Sequence, residues 1–131
     1  MSAVKSSLAV TIAALVIMSG VTTLPAAAQE GDAEAVSISL EQRMLLRCSA
    51  AFALVSNRQE GGEDWALEYP PLAQSGQEFF VRSAARVMDE AQIDAAQLDN
   101  LLREEAGQLL DDDLLEQIMP VCLRLLDQSG L

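Results

Sequence analysis

Chemistry has few residue types to draw on in this chain. The 131 residues contain no histidine, so there is no imidazole base, no Ser-His-Asp triad and no histidine-built metal site. Cys48 and Cys122 are the only cysteines and lie too far apart for a CxxC redox motif. Two thiols alone would also leave a tetrahedral metal site half empty. The twenty Asp and Glu residues are scattered, and no two of them stand out as a glycosidase-like pair. Gly61-Gly62 stands among acids rather than in a phosphate-binding loop. Asp111-Asp112-Asp113 lacks the D-x-D-x-D-G spacing of a calcium loop, and consecutive side chains diverge, so helix capping is the better reading. These patterns argue against an enzyme and imply no metal and no cofactor.

Three groups of residues remain as candidates for a partner or switch surface. Glu105 falls in the middle of an otherwise apolar helical stripe. It either snorkels out to solvent, meets an arginine across a helix gap, or is a buried acid able to sense falling pH. Arg43 and Arg47 form a like-charge i,i+4 pair, suited to neutralising Glu105 or other acids, or to receiving a ligand carboxylate. In a chain this acidic, neutralisation is favoured. Trp65 and Tyr69, just ahead of Pro70-Pro71, either plug one end of a helical core or present an aromatic contact surface.

The elements that must position these groups read as helices. In Leu40–Val55, Met44, Leu45, Cys48, Ala51, Phe52 and Val55 share one face, while Leu46, Ala50, Ala53 and Leu54 make the other faces apolar too. A helix apolar nearly all round belongs at the centre of a bundle. Ser39 and Gln42 fit a capping box at its start, and Ser56-Asn57 is read as its end, with a loop over Arg58–Asp64. A second helix is expected from Leu72 to about Ala91, with Leu72, Gly76, Phe80, Ala84 and Val87 on one face and Ser83 and Phe79 beside them. Glu78–Arg82 and Arg86–Glu90 are its i,i+4 ion pairs.

A third helix is announced by the capping box Asp94–Gln97, stapled by Ile93 and Leu98, with Leu98, Leu101, Leu102 and Leu109 as its stripe. The fourth, Leu114–Asp127, is capped by Asp113 with Glu116 and aligns Leu115, Ile118, Met119, Cys122, Leu125 and Leu126. Pro120 should bend it on the solvent side. The fold class is therefore all-α, a small four-helix bundle.

The N-terminus carries an address. Lys5, the apolar run Leu8–Val21 and Pro25-Ala26-Ala27-Ala28 make a Sec-type signal peptide over residues 1–28, cut after Ala28. An uncleaved anchor is the rival reading, but Ser19, Gly20, Thr22 and Thr23 shorten the run below the roughly 18 to 20 residues a spanning helix needs. An acidic disordered arm is expected over 29–38 and a single helical domain over 39–131. Loss of Lys5 with the leader takes the net charge from −12 to −13. Such a chain suits neither nucleic acid nor an anionic membrane surface, although a protein partner remains open. Export to the periplasm turns Cys48 and Cys122 into an expected disulfide between the first and last helices.

The blocks MLLRCSAAFALVS, GQEFFVRSAARVMDE and IMPVCLRLLDQSGL resemble those of small exported two-cysteine helical proteins of Gram-negative bacteria. The resemblance implies fold, export and bridge, and carries no activity with it. A looser, architectural likeness is to the periplasmic acid-stress chaperones, small helical proteins with two distant cysteines. The expected function is a non-enzymatic binding or structural role in the periplasm, with an acid- or stress-responsive chaperone as the alternative. Protonating every acid would leave the seven arginines to repel one another while the disulfide holds the ends.

Overall fold

The computed structural model describes residues 35–131, which form five helices and no strand. The expected leader, its cut after Ala28 and residues 29–34 of the expected arm lie outside the described residues. Residues 35–39 take up neither helix nor strand, and Val36 and Ile38 pack against a cluster that includes Leu46, Val87, Ile93 and Leu98. No helix among the described residues is long and apolar enough to cross a membrane.

The first helix, α1 (Leu40–Glu60), starts at the capping box expected of it. Gln42 N donates to Ser39 Oγ at 3.1 Å, and Ser39 N donates to Gln42 Oε1 at 2.8 Å. Its buried side chains point several ways, with Leu46, Cys48, Ala51, Phe52 and Val55 fully enclosed. The helix runs beyond Ser56-Asn57, because its extra turn makes tertiary bonds that outweigh their low propensity. Arg58 pairs with Glu63 and Asp112, and Gln59 bonds the backbone of residues 66–72. Gly62, at φ +75°, then turns the chain where a side chain would be strained.

A single turn, α2 (Asp64–Leu67), occupies part of the expected loop. The next helix, α3 (Ala73–Ala91), buries Gly76, Phe79, Ser83, Ala84 and Val87. Phe79, not Phe80, is therefore the aromatic of this face; Phe80 is exposed. Neighbouring residues on a helix point about 100° apart, so only one of the two can face α1. Phe79 meets Phe52 edge-to-face, with ring centroids 5.2 Å apart. The expected Glu78–Arg82 ion pair is not made; Glu78 accepts from Gln74 and Arg82 donates to the Ser129 carbonyl.

Helix α4 (Ala95–Gln108) carries the Asp94–Gln97 capping box, with both bonds at 2.9 Å. Ile93 and Leu98 are buried in one cluster, as a hydrophobic staple requires. Helix α5 (Asp112–Gln128) is capped by Asp111 rather than Asp113: the amides of Asp113 and Leu114 both reach the Asp111 carboxylate. Asp112 and Asp113 sit in the first turn, where negative charge complements the helix dipole. Pro120 lies inside α5 on its exposed side, so water can serve the carbonyl it leaves unbonded.

α1 touches each of the other four helices, and α3 touches both α4 and α5. α4 and α5 do not touch each other, so the long helices enclose α1 instead of closing a ring of four. The disulfide Cys48–Cys122, with Cα atoms 5.1 Å apart, fastens α5 to the middle of α1. α3 is held by close approach. A Cβ on Gly76 would stand 2.9 Å from the Phe52 Cβ, an atom too near the backbone to swing away. Gly76→Ala should therefore destabilise the protein by about 1–2 kcal/mol in urea unfolding, although alanine is the better helix former. A stabilised variant would show that the two helices do not touch there.

Candidate functional site

Glu105 is the most enclosed ionisable side chain among the described residues. It projects from the buried stripe of α4 and is only 1% exposed. Both carboxylate oxygens are taken: Arg43 Nη1 donates to Oε1 at 2.8 Å and Arg47 Nε donates to Oε2 at 2.6 Å. The two guanidiniums stand one turn apart on α1 and reach solvent at 36% and 29% exposure. Arg47 also bonds Gln108, and Arg43 lies 3.8 Å from Glu104. The structure thus joins three of the sequence candidates in one clamp that fixes α4 on α1. The like-charge pair on α1 is held together by the acid between its members.

Trp65 and Tyr69 form a separate corner. Both are half-buried against the main core, with rings edge-to-face and centroids 6.3 Å apart. Trp65 Nε1 donates to Glu63 at 3.0 Å. Burial pushes the Tyr69 phenol above its ordinary range, helped by the negative charges of Glu116 and Glu68. The residue that organises this corner is Gln59. Its amide donates to the carbonyls of Ala66, Tyr69 and Pro70, and its carbonyl accepts from Leu72 N at 3.1 Å. No spacing rule marks a glutamine for such work, and the expected helix end at Ser56-Asn57 placed Gln59 in a loop.

A trough of about 640 Å³ opens between α1, α3 and α4, within the size range of small-molecule sites. Ala50, Ala53, Ala73 and Gly76 make part of it with small side chains, Leu54 and Leu72 add apolar bulk, and Phe80 and Arg103 also line it. Arg103 is tied to Asp99 at 2.7 Å. Leu102 and Ala106 on α4 line it beside Glu105, so the clamp also sets the position of that wall. The exposed Phe80 had been assigned to the core by its spacing from Gly76; the exposed aromatic is what marks the trough.

No family model, curated protein or solved structure matches the chain.

The clamp is asymmetric in a measurable way. With both arginines replaced (Arg43→Gln with Arg47→Gln), a buried carboxylate is left without its counter-charges, at about 3–5 kcal/mol. Glu105→Gln keeps the shape and leaves two half-exposed guanidiniums that water can solvate, at about 1–2 kcal/mol. Urea unfolding at pH 7 should rank the two in that order. The reverse ranking would show that Glu105 does not depend on the pair.

Proposed function

We propose that this chain is a small periplasmic binding protein without catalytic activity, exported by a Sec-type leader that is removed after Ala28. The observation that carries the reading is the apolar trough between α1, α3 and α4, with exposed Phe80 beside it. The Cys48–Cys122 bond supports export, since such bonds persist in oxidising compartments. The neighbourhood of Glu105 supports a structural part for the clamp, because both its oxygens are occupied by protein donors. The Trp65–Tyr69 corner, packed against the core, supports the scaffold in the same way.

The test is a fluorescence titration of the exported protein with the apolar probe N-phenylnaphthylamine. Saturable one-site binding is expected. Ala53→Trp, at an exposed trough position, should weaken it at least about tenfold, a loss of some 1.4 kcal/mol, with the helical circular dichroism unchanged. Absence of saturation, or indifference to the tryptophan, would end the reading.

The alternative, an acid-responsive chaperone, is favoured by one feature: apart from the disulfide, the polar ties between long helices run largely through carboxylates. Glu105 holds α4, Arg86 bridges Glu41 on α1 and Glu90 on α3 at 2.8 Å each, and Arg58 reaches Asp112 on α5 at 3.1 Å. Hydrogen bonds from Arg86 and Gln42 hold the Glu90 carboxyl below its usual range. A carboxyl depressed in the fold contributes stability above its unfolded pKa, and that contribution is lost as pH falls through the folded value. Stability should therefore drop below the ordinary glutamate range, less steeply in Glu90→Gln. The exported protein should suppress aggregation of a client at pH 2–3 and not at pH 7. Equal activity, or none, at both values would dispose of the chaperone.

A further inference from the structure

A second groove, of about 610 Å³, runs between the N-terminal half of α1, α3 and the C-terminal end of α5, and shares no lining residue with the trough. We propose that it binds a long-chain fatty acid, with the carboxylate on Arg82 and Ser83 and the acyl chain along Met44, Phe79 and Leu125. This goes beyond the proposed trough and does not depend on it.

Arg82 is the unspent cation of the groove. Five of the seven arginines pair with carboxylates among the described residues: Arg43, Arg47, Arg58, Arg86 and Arg103. Arg86 lines the same groove, but its charge is matched by Glu41 and Glu90. Arg82 makes one bond, from Nη1 to the Ser129 carbonyl at 3.4 Å, and its natural partner Glu78 is turned towards Gln74. The guanidinium therefore keeps donors free for a planar, two-oxygen anion.

Ser83 supplies a second, independent observation. It is only 5% exposed, it lines the groove, and its hydroxyl donates to no acceptor among the described residues. Ser49 and Ser75, by contrast, each bond the carbonyl four residues back. No fully enclosed side-chain oxygen among the described residues lacks a partner, so the Ser83 hydroxyl keeps access to the groove. A hydroxyl and a guanidinium that line one groove, neither spent on a carboxylate, offer two donors to an incoming carboxylate.

The rest of the groove decides the class of ligand. The backbone amides of α1, α3 and α5 are spent inside their own helices, so an extended peptide laid there would bury its amides unpaired. An acyl chain has no such groups to satisfy. The net charge of −12 opposes any anion from a distance, but at physiological salt the Debye length is about 8 Å and the local guanidinium dominates.

The test is an NMR titration of the exported protein with laurate labelled with ¹³C at the carboxyl, kept below its micelle concentration. One-site saturation is expected, weakened about tenfold or more by Arg82→Gln, partly restored by Arg82→Lys, which returns the charge without the fork, and unaffected by Arg124→Gln, an exposed arginine outside the groove. Dodecanol should not distinguish Arg82→Gln from the parent. Ala53→Trp in the other trough should leave laurate binding intact. Equal laurate affinity in the parent and Arg82→Gln, no saturable carboxyl shift, or loss with Ala53→Trp would each overturn the proposal.

Discussion

The burial of α1 on nearly every side is the constraint on which the other helices depend. A helix that offers apolar side chains in several directions has to be covered in several directions, and α3, α4 and α5 do this without all touching one another. Each covering helix is fastened by different physics. α5 is tied covalently at Cys48, α3 approaches closely at Gly76, and α4 is held by two arginines on one buried acid. The three fastenings fall on the same central stretch of α1, between Arg43 and Phe52. α1 thus acts as an axle, and displacing one covering helix need not dislodge the others.

The fastenings differ in what can undo them. The disulfide closes a loop with a sequence separation of 74 residues, which in the chain-entropy model removes about 4 kcal/mol of unfolded-state freedom. It is blind to pH. The clamp on Glu105 requires a charged carboxylate, and the close contact at Gly76 requires only shape. Acid therefore acts on the Arg86 bridge, whose Glu90 carboxyl is held low by its hydrogen bonds, and reduction acts on α5. This separation is what makes the binding and chaperone readings compatible with one architecture.

Much of this was legible in the sequence because it rests on local rules. The central helix was visible as apolar positions at every angle between Leu40 and Val55, and the capping boxes at Ser39 and Asp94 follow from side chains that serve nearby amides. The bridge followed from an even pair of cysteines in a chain read as exported, each on an apolar helix face. Glu105 stood out because a carboxylate in a leucine stripe contradicts the pattern around it, and Arg43 and Arg47 were its available partners. Where several local signals competed, sequence was ambiguous. Asp111, Asp112 and Asp113 all suit a helix start, and only the path of the chain selects Asp111. Phe79 and Phe80 both fit a face that includes Gly76, and the approach of Phe52 selects Phe79. Gln59 was illegible, since its partners lie in a segment whose path α1 itself determines.

The grooves follow from the same packing. α3 meets its neighbours through Gly76, Ser83 and Ala84, residues that bring backbones close but leave little side-chain volume to fill the flanks. An apolar hollow opens on each flank of α3, one towards α4 and one towards α5. The two hollows differ in charge chemistry. In the α4 trough Arg103 is already neutralised by Asp99, so the ligand it suits is apolar. In the groove beside α5 the i,i+4 partner of Arg82 is turned aside and a serine hydroxyl is left without an acceptor, so the site suits an anionic head on an apolar chain. On a chain where acids outnumber arginines nearly threefold, a guanidinium without a carboxylate is the exception that gives this groove its direction.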